Sequence, residues 1–202
     1  MWKWYAAIKF YRRRMAAEES DNRPARVWPC CVKAIREWAE FLFANKPRSV
    51  PDPTIEPEVT VFTDAAPKGW GAVVIEENTG KVHVFGGRFS QWKVEHEHIN
   101  IKEARAVQES VKILYDIFPK FPAAVTWRVD NTSALGATKK GRSKIFEMNK
   151  VIADIREQIP GSTTMKFEYI PSSMNYADAP SRGRAIDISD IANRHRQPKR
   201  LQ

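Results

Sequence analysis

Cysteine is almost missing from this chain: two in 202 residues, and those two, Cys30 and Cys31, are neighbours. Adjacent cysteines rarely pair, so no disulfide framework is available, and no CxxC or Cys/His spacing suits zinc. They read as free thiols in a reducing compartment, cytoplasmic or nuclear. Long apolar runs are missing too. No stretch approaches the roughly 20 residues of a membrane span, and no signal-peptide pattern is present, so no membrane partner is expected. Residues 1–16, MWKWYAAIKFYRRRMA, contain no acid. That is a mitochondrial-presequence trait, but the segment lacks serine and is strongly aromatic, which makes targeting the lesser reading. Internal repeats and low-complexity tracts are absent as well.

What is present supports a folded, nucleic-acid-directed protein. Hydrophobic residues make up 43% of the chain and aromatics 11%, enough to build a core. The net charge is +9, a balance that favours an acidic partner. Residues 1–60 hold 11 Lys/Arg against 8 Asp/Glu, residues 61–181 hold 16 against 14, and residues 182–202 hold 6 against 2. The middle is nearly balanced, so it can hold a local acidic site whose charge bound cations would offset.

The pattern along the chain predicts four regions. Residues 1–46 form a helical appendage, with helices over 2–18 and from Pro29 to about Ala44. Pro47, Pro51, Pro53 and Pro57 mark a linker over 47–57, because neither helix nor sheet tolerates that density. Strands are expected at 58–64, 71–76 and 81–89, with a turn at Glu77-Asn78-Thr79-Gly80. A helix follows at 100–117, a strand at 123–130, a short helix at 131–139 and a helix to about Ile159. Ser143 is placed as the cap of that last helix, with Ile145, Met148, Ile152 and Ile155 inward. A strand at 163–170, a short helix or loop at 174–182 and a helix at 185–194 complete the reading. The domain spans 58–184 and a basic tail covers 185–202. The order implies an α/β fold: a mixed five-stranded sheet, three strands antiparallel and the others helix-linked and parallel, with helices on both faces.

Four acids stand where structure alone would not put them. Asp64 ends the first strand and Asp130 the fourth, although aspartate is a poor strand residue. Glu103 shares a helical face with Val107, Ser110 and Leu114. Asp178 lies in the segment after the last strand. Taken singly, each has a plainer reading as a turn residue, a helix cap or a solvated side chain. Gathered together they would repel one another and drift toward protonation. A hard divalent cation such as Mg²⁺ relieves that, and a pair of ions can activate water and stabilise a leaving oxygen at a phosphodiester.

At these residues the chain resembles a known family. TDAAPKGWGAVV (63–74), HINIKEARAV (98–107), VDNTSALG (129–136) and EYIPSSMNYADAPSRG (168–183) are similar to segments of the ribonuclease H domains of reverse transcriptases. The likeness is strongest to hepadnavirus polymerases and to DIRS-like and VIPER-like retroelements. It covers residues 58–184, with spacings of 39, 27 and 48 between the acids. The resemblance implies a ribonuclease H-like fold, two Mg²⁺ (or Mn²⁺) ions held by Asp64, Glu103, Asp130 and Asp178, and hydrolysis of the RNA strand of an RNA–DNA hybrid. It implies a reverse-transcriptase domain as partner in a larger polyprotein. Asn100 matches a minor-groove position. Asn131 is carried over as a nucleic-acid-binding position, and Thr132 and Ser133 fit a phosphate-contacting role at a helix start, with helix capping the equal alternative for these two. Arg182 and the Lys139-Lys140-Gly141-Arg142 loop fit backbone contacts; a solvated loop is the plainer alternative, and the favoured one for Lys139 and Lys140.

The chain departs from cellular ribonucleases H in two ways. The loop Pro171-Ser172-Ser173-Met174 carries no histidine before the last acid, and no long basic substrate-gripping helix is present. His98, near Glu103, reads as structural. No YxDD motif is present, so the chain does not itself copy nucleic acid. Two other readings use the same residues: a ribonuclease H fold kept as a binding or scaffold module, and a DNA nuclease or integrase-like strand transferase. The intact acid set opposes the first, and the AD-x-PSR ending opposes the second.

Overall fold

In the computed structural model of the chain, residues 29–45, 50–89 and 96–196 are described, together with Arg12 and Ala16. The helix expected over 2–18 and the side chains of Cys30 and Cys31 lie outside the described residues. Helix α1 (Pro29–Ala44) starts on a proline, whose missing N–H costs nothing at a first helical position.

A five-stranded sheet follows: β1 (Val59–Ala65), β2 (Gly69–Glu76), β3 (Val82–Arg88), β4 (Ala124–Val129) and β5 (Thr164–Tyr169). Its order is β3-β2-β1-β4-β5. The β1–β2 and β2–β3 pairs are antiparallel, and β1–β4 and β4–β5 are parallel. Strand β1, at the centre, is buried along its whole length, in keeping with its β-branched sequence VTVFTDA and its place between two strands. β2 is two residues longer at its start than the pattern suggested, because Gly69 and Trp70 already pair with Arg88 and Gly87. The hairpin between β2 and β3 turns through Gly80 at φ 70°.

Helices α2 (Ile99–Ile117), α3 (Thr132–Lys140) and α4 (Phe146–Gln158) cover one face of the sheet. Val59, Val61, Val74 and Trp127 pack there against Val107, Leu114, Ile152 and Ile155. The Trp127 indole N–H donates to the Ser110 hydroxyl at 3.0 Å, and its ring stacks on Phe167 at 5.2 Å. The other face holds a smaller core of Phe62, Val73, Ile75, Ile170, Ala177 and Ile191. It is closed by a short helix α5 (Asp178–Ser181) and by α6 (Ile188–Arg196). The helix expected at 185–194 thus runs from Ile188 to Arg196, inside the stretch expected as a basic tail, and Ile191 is wholly buried. His195 meets Glu77 at 3.1 Å and adds an edge contact to Phe62.

The helix ends follow local chemistry. Phe118 and Ile159, each before a proline, take extended backbones that end α2 and α4. Gly141 at φ 66° closes α3, with its N–H and that of Arg142 returning to the last turn. Helix α4 corrects the sequence reading. Ser143 is not its cap: the cap position is Ile145, with no side-chain bond. Ser143 is held by Asn149, whose Oδ1 accepts the Ser143 N–H and whose Nδ2 donates to the Ser143 carbonyl. That shifts the helix start by two residues, and Ile145 is 47% exposed rather than inward. Residues 50–58 contain no helix or strand, and Asp52 anchors them by accepting at its carbonyl from the Thr164 hydroxyl.

Candidate active site

Parallel pairing of β1 with β4 brings their carboxyl ends to one edge of the sheet. That edge is where open α/β sheets bind ligands. Asp64 lies one residue before the end of β1 and Asp130 directly after β4. Glu103 comes from the second turn of α2, the helix packed over β1. Carboxylate oxygens of the three lie within 4.8 Å of one another. Asp64 and Glu103 are buried, at 5% and 4% exposure, and Asp130 is half-buried.

The electrostatics are those of an uncompensated acidic cluster. Burial pushes the Glu103 carboxyl up to about 9, and the neighbouring Asp64 and Asp130 charges add to the rise. Asp64 is also raised, first by burial and then by Asp130 and Asp178; the Ser181 hydroxyl and the Arg182 charge oppose this in part. Two buried oxygens, Asp64 Oδ2 and Glu103 Oε2, have no hydrogen-bond partner among the described residues. Orphaned buried acceptors are rare and costly. An oxygen-only donor set of this kind suits a hard divalent cation, so the residues fit the metal ions that the resemblance implies.

Asp178 is placed differently. It is the first residue of α5 and does not join the 4.8 Å cluster. Its carboxylate is held by Arg182 Nε at 3.0 Å and Arg184 Nη2 at 2.8 Å. Gly183, at φ 69°, turns the chain back so that the Arg184 N–H reaches the Ala179 carbonyl. Asn175 pins the start of this segment by donating from Nδ2 to the Thr63 carbonyl at 3.0 Å. Three glycines let the segment lie flat on the sheet. A Cβ at Gly69, Gly71 or Gly86 would meet backbone atoms of residues 177–181 at 2.5–2.6 Å. The role of Asn175 had no sequence signal beyond the closing motif itself, and Arg184 lies one residue past that motif.

Asn100, Thr132, Ser133 and Arg142 line one groove of about 750 Å³. Lys140 and Lys144 add positive charge to its wall, and Ile145 and Met148 supply apolar surface. Lys144 was not singled out in the sequence, and Lys139 does not line the groove. Thr132 and Ser133 are exposed, and the cap of α3 is Asn131. Asn131 bonds internally at both ends, to Ala134 and to Asn100. Arg182 lies apart from this groove, with Asp178. His98 is structural, as expected: its Nδ1 caps α2 by accepting the Asn100 N–H.

No protein-family model and no curated protein matches the sequence. Solved structures do match. A ribonuclease H1 from the halophilic archaeon Halobacterium salinarum aligns with a TM-score of 0.51 at 18% identity, over 60% of this chain and 92% of that one. The fold is that of ribonuclease H. The N-terminal ribonuclease H domain of a Mycobacterium tuberculosis protein gives 0.49 at 18% identity, over 69% and 99%. LC11 ribonuclease H1, solved with an RNA/DNA hybrid, gives 0.48 at 18% identity, over 66% and 98%. Within the ribonuclease H fold of this chain, the acid trio lies at the carboxyl edge of the two central parallel strands.

Proposed function

We propose that the chain is a ribonuclease H that hydrolyses the RNA strand of RNA–DNA hybrids, and that it works as the ribonuclease H part of a retroelement reverse transcriptase. One observation carries the activity: in a ribonuclease H fold, Asp64, Glu103 and Asp130 converge with two buried, unpartnered carboxylate oxygens. The retroelement setting rests on the four motif segments, above all the closing SSMNYADAPSRG run without a histidine.

Asp64, Glu103 and Asp130 would hold divalent cations, Mg²⁺ in the cell, with Asp178 as the fourth ligand once released from its arginines. Bound there, the ions supply an activated water and neutralise charge on the phosphodiester being cut. The protein's own groups do the rest. The cluster's burial excludes bulk water. Lys140, Arg142 and Lys144 draw the nucleic-acid backbone into the groove that Thr132 and Ser133 line. Thr132 and Ser133 offer hydroxyls and first-turn N–H groups to a phosphate. Selection of a hybrid comes from contacts to the RNA 2′-hydroxyls and from the shape of the deoxyribose strand.

The test is incubation of labelled RNA–DNA hybrid, duplex RNA and duplex DNA with Mg²⁺, Mn²⁺ or EDTA. Metal-dependent loss of the hybrid's RNA alone is expected. Asp64→Asn lowers that rate by on the order of 10²–10³-fold or more while the fold is kept. Wild-type cleavage by this variant, or equal cutting of duplex DNA, overturns the assignment.

A further inference from the structure

Asn131 and Asn100 form a relay whose direction follows from elementary chemistry. The backbone N–H of Ala134 can only donate, and it donates to Asn131 Oδ1 at 2.9 Å. The other end of the Asn131 amide is therefore its NH₂ group, which donates to Asn100 Oδ1 at 3.0 Å. Asn100 Oδ1 thus faces Asn131, with one of its two lone pairs engaged, and its own NH₂ has no partner among the described residues. Asn100 lines the groove, so the groove is offered the free N–H donors of its amide at this point. An amide whose two ends look alike has been given one orientation by a helix N-terminus two links away.

We infer that Asn131 is a positioning residue that sets substrate recognition through Asn100: it locks the Asn100 amide so that the groove reads hydrogen-bond acceptors on the minor-groove edge of the hybrid. This rests on the proposed ribonuclease H function. The acceptors are purine N3 and pyrimidine O2, which every base pair displays there. The contact is therefore independent of sequence. It also differs in kind from the charge contacts of Lys140, Arg142 and Lys144, because it neutralises no phosphate. Asn131 itself need not touch the substrate, since both ends of its side chain are engaged within the chain.

Asn131→Ser isolates the relay. Serine caps a helix as well as asparagine does, so α3 and the fold are kept. Its side chain is too short to reach Asn100, whose amide is then free to turn over. Binding of a labelled RNA–DNA hybrid to the full chain is measured by fluorescence anisotropy in EDTA, so that no hydrolysis intervenes, across a salt series. Asn131→Ser is expected to weaken binding about five- to tenfold, the scale of one hydrogen bond. The slope of affinity against salt stays as in wild type, because no phosphate contact is lost. Asn100→Ala weakens binding to a similar degree, and the double variant is no worse than Asn100→Ala alone. A merely structural role for Asn131 would instead lower the melting midpoint and add to the loss in the Asn100→Ala background. Wild-type affinity in Asn131→Ser, or full additivity in the double variant, overturns the inference while hybrid binding by the wild type stands. Failure of the wild type to bind hybrid overturns the ribonuclease H reading and this inference with it.

Discussion

Asp64 on β1 and Glu103 on α2 bring carboxylate oxygens within 4.8 Å of each other, and each also buries an oxygen that no donor among the described residues reaches. A pair of this kind costs the fold free energy until a cation arrives. Mg²⁺ should therefore raise the melting midpoint. At a hundredfold excess over its dissociation constant a ligand adds about 2.7 kcal/mol, which is roughly 5–10 °C for a domain of this size. Asp64→Asn and Glu103→Gln should each melt higher than wild type in EDTA and lose the response to Mg²⁺. A full metal response in both variants would contradict the cluster as the metal site.

The pH dependence has a definite sign. The Glu103 carboxyl goes from the ordinary 4.5 to about 9 on folding. Below 4.5 it is protonated in both folded and unfolded chains, and its contribution to stability is fully present. Between 4.5 and about 9 the unfolded chain has lost the proton and the folded chain keeps it, so stability of the metal-free protein falls as pH rises through this window. Asp64 acts in the same direction. Metal binding must expel the Glu103 proton, so apparent Mg²⁺ affinity should climb from pH 7 to about 9 and then level off. Calorimetry in two buffers of different ionisation heat should show proton release near neutrality, and Glu103→Gln should abolish it.

Asp178 is tied to two exposed arginines, and exposed ion pairs are worth about 0–1 kcal/mol each. Such a tie is easily exchanged for a cation or a phosphate. Replacing both Arg182 and Arg184 with alanine leaves Asp178 unpaired and removes positive charge from beside Asp64. Mg²⁺ binding to the nucleic-acid-free protein should tighten by about three- to tenfold, from those 0–1 kcal/mol terms added over two pairs. Unchanged affinity by calorimetry would mean that Asp178 takes no part in holding metal.

Much of this architecture is legible in the residues. β-Branched alternation marks β1; Met165, Phe167 and Tyr169, alternating with charged residues, mark β5; and the out-of-place acids Asp64 and Asp130 mark the ends of two strands that do lie side by side. Glu103 stands out as a charged group sharing a helix face with Val107, Ser110 and Leu114. The rest is set by long-range contacts that periodicity does not carry. Asn149 reaches back to Ser143 and moves the start of α4. Arg184 reaches Asp178 only because Gly183 reverses the chain. Asn131 reads in the motif VDNTSALG as a nucleic-acid-binding position, and only the structure shows its side chain spanning from Ala134 to Asn100.

The glycines of the GWG motif connect the sheet to the chemistry. A Cβ on Gly71 would come within 2.5 Å of both the Ala177 carbonyl and the Ser181 N–H, backbone atoms that flank Asp178. Neither can yield without shifting α5, because Ser181 N–H is already bonded to the Ala177 carbonyl at 3.0 Å. Gly71→Ala should therefore destabilise the fold by about 1–3 kcal/mol, the usual scale of overpacking. It should also lower the cleavage rate, since the displaced segment carries Asp178. Gly136→Ala is the control: a Cβ there meets nothing within 4 Å, and alanine is the better helix residue. Denaturant melts of the two variants decide the matter. Equal stability of Gly71→Ala and wild type would show that residues 177–181 do not rest on β2 as described.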